Sequence, residues 1–145
     1  MEITEDKTRI LLHLDAIHAF LSNCYWSKAI PKQTVYSAID NSLAFAVIEN
    51  NRLVGFARVI SDFTTFAYLA DVFVIDEARG RGISKKLVAH IMQHTRLQGL
   101  RRFMLATQDA HGLYTKFGFQ HVTDASPFMQ INHPMIYTET IQAKA

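Results

Sequence analysis

The segment Arg79-Gly80-Arg81-Gly82-Ile83-Ser84-Lys85-Lys86 sets two glycines and four cations ahead of a stretch with helical periodicity. Glycine reaches backbone conformations that a Cβ forbids and lets the main chain approach a ligand closely. The first N–H groups of a following helix have no partner inside it and carry the positive end of its dipole. Together these features make a cradle for a phosphate or a pyrophosphate. Two familiar forms of such a cradle do not fit. A P-loop needs Lys-Ser/Thr directly after its last glycine, where this chain has Ile83-Ser84. A G-x-G-x-x-G dinucleotide fingerprint needs a small residue where Lys85 stands, and a βαβ unit near the start of the chain.

Further along, Leu105-Ala106-Thr107 leads into Ala110, Leu113, Tyr114, Lys116, Gly118 and Phe119. With these residues, the glycine segment resembles the acyl-coenzyme-A loop of the GNAT superfamily of N-acetyltransferases, whose pattern is Arg/Gln-x-x-Gly-x-Gly/Ala. Arg79 and Gly82 match it, and Ser84 stands where Gly or Ala is usual. The later block is similar to the family's Ala-x-x-Leu-Tyr-x-Lys-x-Gly-Phe. The resemblance runs from about Leu43 to Phe119.

The resemblance implies acetyl-CoA as co-substrate, direct transfer of its acetyl group to an amine in a ternary complex, and no metal. Main-chain groups of Val72, Phe73 and Val74 would hold the pantetheine arm, and Arg79, Gly80, Arg81, Gly82, Ile83 and Ser84 the pyrophosphate. Thr107 stands where the family often has an Asn on the arm. Tyr114 matches the family's proton donor: a phenol titrating near 10 can protonate a thiolate whose acid titrates near 8.5. Asp71 is the candidate to take the amine's proton or to bind a cationic acceptor, with Tyr68 as an alternative. Family polyamine acetyltransferases carry an acidic pair where this chain has Ala70-Asp71. The missing first acid admits a rival reading, an acyl-CoA-binding module or sensor with impaired catalysis. Tyr25, Trp26 and Tyr36 fall in the region that walls the acceptor pocket in this superfamily. The partner expected is a small-molecule or peptide amine.

Thr8–His13 reads as a short strand. Asp15 caps a helix to about Cys24, and Lys32–Ile39 forms a second. Leu43–Ile48 and Leu53–Ile60 are strands joined by an Asn50-Asn51 turn, and Thr65–Ile75 is a third. Ile83, Leu87, Val88, Ile91 and Met92 make one helical stripe that Gly99 terminates. A strand at Arg101–Thr107, a helix at Ala110–Lys116, and a final strand pair, Phe119–Val122 with Met135–Tyr137, complete the order. The expected class is α/β (α+β), with a GNAT-type mixed, mostly antiparallel central sheet flanked by helices. Two copies could pair through the late strands.

The chain has 145 residues, room for one domain spanning 1–145, and is 49% hydrophobic and 19% charged. A net charge of +2 gives no argument for nucleic acid or membrane binding. The acidic, polar MEITEDKTRI start does not read as a secretory signal. Cys24 is the single cysteine, which excludes an internal disulfide. These features point to a soluble cytoplasmic protein. His90 and His94 have metal-ligand spacing but no third ligand in the motif and read as a solvated helix face. Cys24 reads as a core thiol.

Overall fold

Apolar residues dominate Leu43–Glu49 (β2) and Arg52–Ser61 (β3), and between them Asn50 and Asn51 adopt positive φ of 51° and 60°. Asn tolerates that region, so the two strands close as an antiparallel hairpin. Phe66–Val74 (β4) returns antiparallel to β3. The computed structural model describes residues 1–138; residues 139–145 of the expected single domain lie outside the described residues. The five strands run in sequence order, Glu2–Thr4 (β1) beside β2 and Arg102–Leu105 (β5) beside β4, and only the β4·β5 pair is parallel. The mixed, mostly antiparallel sheet is the one expected.

Helices cover both faces. Ile83–Met92 (α4) packs Ile83, Leu87, Val88 and Ile91 against Phe45, Val47, Ala57, Val59 and Leu69. Lys7–Leu11 (α1), Leu14–Leu21 (α2) and Lys32–Asp40 (α3) pack Ile10, Ile17, Leu21, Val35 and Ile39 against Phe56 and Phe73 on the other. A short helix at His111–Thr115 (α5) follows β5. No helix among the described residues is long and apolar enough to cross a membrane.

Three local expectations are corrected. Thr8–His13 is not a strand: the Asp6 carboxylate accepts from the Thr8 and Arg9 amides, at 3.0 and 3.3 Å, and caps α1 instead. The helix expected from an Asp15 cap to about Cys24 stops at Leu21, and His13 takes its cap position, with Asp15 inside the first turn. The final strand pair does not form. Residues 119–122 make no strand, and residues 136–138 are helical.

Candidate active site

The parallel pairing of β4 with β5 lasts from Phe66↔Arg102 to Leu69↔Leu105 and then stops. A bulge lies just beyond: Arg58 faces Ala70, but Phe56 faces Phe73, so Asp71 and Val72 together oppose the single residue Ala57. Asp71 absorbs the extra residue with a φ of +55°. The bulge resets the alternation of the strand. Ala67 and Leu69 belong to the α4-side core, and beyond the bulge it is Val72 and Val74 that pack there, while Phe73 joins the opposite core and stacks on Phe20 at 4.0 Å. β5 itself ends at Leu105, so main chain at 70–74 runs on past the paired stretch with no strand on that side among the described residues, leaving a gap beyond the end of the β4–β5 pairing.

The glycine loop follows β4 in the chain, after one short turn at Asp76–Ala78. Gly80 and Gly82 have φ of +78° and +74°, and a Cβ at either would meet nothing within 4 Å. Gly82 is the N-cap of α4 and supplies no side-chain cap; the first helical bond runs from Lys86 N–H to Gly82 C=O. The amides at the head of α4 thus remain available to an anion. The arginines are less available. Arg79 pairs with Asp76 at 3.1 Å, and Arg81 donates twice to Glu49, at 3.2 and 2.6 Å. These pairs fasten the loop, so the cradle is built of main chain, with Lys85 and Lys86 outside any ion pair among the described residues. The loop fits a diphosphate.

Tyr114 lies toward the β5 side, 7% exposed, with its ring edge-on to Phe119. Burial pushes its phenol above the ordinary value, with a smaller contribution from the negative charge of Asp109. Thr107 turns its hydroxyl oxygen to the Ala110 amide at 3.0 Å and fixes the start of α5. A cavity of about 550 Å³ opens past Thr107, His111 and Tyr114 along Phe103 and Phe119.

The bulge at Asp71 gathers a second group. Arg58 Nε donates to Asp71 Oδ2 at 2.6 Å, and Trp26 Nε1 donates to Oδ1 at 2.8 Å. The Asp71 side chain is 10% exposed. Arg58 also reaches the Ser42 hydroxyl at 3.2 Å. Cys24 lies close by: burial pushes its thiol up to about 11, Asp71 adding to the shift and Arg79 opposing it. Trp26 thus joins Asp71 directly and stands edge-on to Tyr25, with ring centres 5.0 Å apart. Tyr68 is elsewhere, in the closed stretch opposite Ile60 and Met104. His94 pairs with Glu5 at 2.9 Å, and the His90 and His94 rings both lie edge-on to Phe45. Arg58 is the residue that sequence reasoning missed. Its signal was a lone cation inside the apolar run Leu53-Val54-Gly55-Phe56-Ala57-Arg58-Val59-Ile60, a position that needs a buried counter-charge.

The family model described as acetyltransferase (GNAT) family matches residues 14–119. A Gibberella zeae protein named as an acetyltransferase is 32% identical over 73% of this chain and 72% of its own length. The chain spans 54% of the length of other curated relatives it matches. Among solved structures, a Xanthomonas campestris protein assigned to the GNAT family is 48% identical, with a TM-score of 0.91 over 94% of this chain and 96% of that one. A Clostridium acetobutylicum protein solved with acetyl-CoA, 16% identical with a TM-score of 0.62 over 90% of this chain and 94% of that one, shares the fold.

Proposed function

Because the chain belongs to the acetyltransferase (GNAT) family, we propose that it moves the acetyl group of acetyl-CoA directly to an amine, with both substrates held at once in the gap beyond the β4–β5 pairing. The observation that carries this reading is the geometry of that gap. The loop after β4 offers an uncapped helix head with two left-handed glycines, and a buried phenol lines the cavity beside β5. The loop from Arg79 to Ser84 holds the diphosphate, and main chain at Val72, Phe73 and Val74 holds the arm leading to the thioester. An N–H in that stretch, aimed at the thioester oxygen, would stabilise the charge that develops there.

In the reaction the amine lone pair forms a C–N bond to the thioester carbon and the C–S bond breaks. The departing sulfur takes the Tyr114 phenolic proton, and the proton released by the amine passes through solvent and restores the phenol. A raised pKa keeps Tyr114 protonated and ready to donate at neutral pH. No side chain is required as a covalent acetyl carrier, and the Cys24 thiol, pushed up to about 11, is a poor candidate for one.

Asp71 supports a rival reading. Both its oxygens are engaged, by Arg58 and by Trp26, so it is poorly disposed to take a proton, and a binding module without a base would look the same. Thiol release over a panel of primary amines, with Tyr114→Phe as control, separates the two. Acetyl transfer predicts release with at least one amine and its loss in the variant. Binding of coenzyme A by calorimetry with no amine-dependent release favours the module. No binding to well-folded protein overturns both.

A further inference from the structure

Between α2 and α3 the chain leaves two large rings in solvent: Tyr25 is 58% exposed and Trp26 43%, and they stand edge to face with centres 5.0 Å apart. The loop that carries them is fixed at several points. The buried Ser27 hydroxyl donates to the Leu21 carbonyl at 2.7 Å, and the Ala29 amide to the Ser22 carbonyl at 2.9 Å. Trp26 Nε1 is tied to Asp71 at 2.8 Å. Rings already held still lose little further freedom when a ligand covers them, which favours binding there.

This loop belongs to the candidate site. Phe20, in the last turn of α2, stacks on Phe73 of β4 at 4.0 Å, and Trp26 bonds to the bulge residue two positions before Phe73. Cys24 lies within reach of the charges of both Asp71 and Arg79. Tyr25 is near enough to Tyr114 for the ionisation of one to be felt by the other. Through Tyr25 and Trp26 the loop thus reaches both the bulge and the proposed proton donor.

What the two rings offer a ligand is apolar surface with little free charge. Asp71 is bonded to Trp26, but Arg58 answers its charge at 2.6 Å and Trp26 occupies its other oxygen. Among the described residues no other carboxylate bonds to Tyr25 or Trp26. A polyamine carries several ammonium groups, each of which gains from an unpaired carboxylate, and this wall supplies none. An aryl or branched alkyl group gains from contact with both rings, and a single ammonium is attracted to their π faces. Two rings match one such group in size and fall far below the area a protein partner needs. Taking the amine itself from the acetyl-transfer reading, on which this rests, we propose that Tyr25 and Trp26 seat the body of the acceptor. The acceptor is then a small amine with one positive charge and an aryl or branched alkyl body, not a polyamine or a small polar amine.

Trp26 is the single tryptophan of the chain, so its emission reads acceptor binding apart from turnover. The test titrates phenethylamine, ethanolamine and spermidine into the full chain with coenzyme A present, and measures thiol release from acetyl-CoA with the same amines. Phenethylamine should saturate the emission change at a concentration roughly tenfold or more below the other two, with the same order in kcat/KM. Tyr25→Phe keeps the ring and should keep the preference, whereas Tyr25→Ala should reduce it roughly tenfold. An emission that no amine changes overturns the proposal. So does a preference for ethanolamine or spermidine in either measurement, or a folded Tyr25→Ala that keeps the full preference. Where a variant does not fold, the order of the amines on the unmodified chain decides. Phenethylamine that binds first while no amine releases thiol would overturn acetyl transfer alone and leave the binding preference standing.

Discussion

Arg58 Nε sits 2.6 Å from Asp71 Oδ2, across the bulge that opens β4, and Trp26 Nε1 holds the other carboxylate oxygen at 2.8 Å. The arginine thereby ties the strained turn of β4 to β3, and the tryptophan ties the loop after α2 to both. Arg58→Met should leave a mostly buried carboxylate without its counter-charge and cost about 3 kcal/mol in urea unfolding. Arg58→Lys should recover only part of that, because an ammonium cannot reproduce the planar fork. Asp71→Asn tests the role of the carboxylate. With Asp71 as a wall, the acceptor KM rises while kcat falls well short of the 10²–10⁴-fold loss, roughly, that removal of a general base produces.

Tyr114→Phe should lower kcat by roughly 10²–10⁴-fold and leave the KM for acetyl-CoA nearly unchanged. Its pH signature follows from the direction of the shift. Burial raises the phenol above its ordinary value, so the protonated, competent form persists beyond the usual tyrosine range and activity is lost only as pH rises through the raised value. The wild-type rate should hold through pH 9, and the alkaline fall should be absent from the residual activity of the variant. A wild-type rate that collapses below pH 9 in step with no acceptor titration would remove Tyr114 from the proton-donor role.

Gly82 isolates backbone conformation from packing. A methyl there meets nothing within 4 Å, yet φ is +74°. Gly82→Ala should therefore cost roughly 1–2 kcal/mol in stability, the ordinary penalty of a left-handed L-residue. Coenzyme A affinity should fall further, since relaxing the strain at Gly82 shifts the α4 amides that would meet a diphosphate. Calorimetry on the folded variant reads the second effect apart from the first.

The central sheet and the glycine loop were legible because their signals are local. Asn50-Asn51 marks a hairpin, and Gly80 and Gly82 occupy positions that need positive φ. The bulge at Asp71 was not legible, since nothing in Tyr68-Leu69-Ala70-Asp71-Val72 announces an extra residue until β3 is laid beside it. Thr8–His13 misled because its β-branched and apolar residues suggest a strand, while the Asp6 cap two residues upstream favours a helix. Phe119–Val122 and Met135–Tyr137 have strand composition, but a strand needs an edge to pair with, and within one chain they do not take the one β5 offers. That Arg58 answers Asp71 depends on register, which no short window of sequence contains.

Cys24 gives a chemical readout of the charge at Asp71. Its thiol is pushed up to about 11 by burial first and by the Asp71 carboxylate second, and its Sγ donates to the Phe20 carbonyl at 3.4 Å. At pH 8 the thiolate fraction is then about a thousandth, against about a quarter for an ordinary thiol. Iodoacetamide should alkylate Cys24 roughly a hundredfold more slowly than a free cysteine, the rate climbing about tenfold per pH unit up to the titration point. A negative charge beside a thiol opposes its ionisation, so removing that charge must lower the pKa. Asp71→Asn should accordingly speed alkylation at fixed pH, and Arg79→Gln, which removes the opposing cation, should slow it. If neither substitution moves the rate while circular dichroism shows both variants folded, the charges of the bulge and the loop do not meet at Cys24, and their placement around that thiol is wrong.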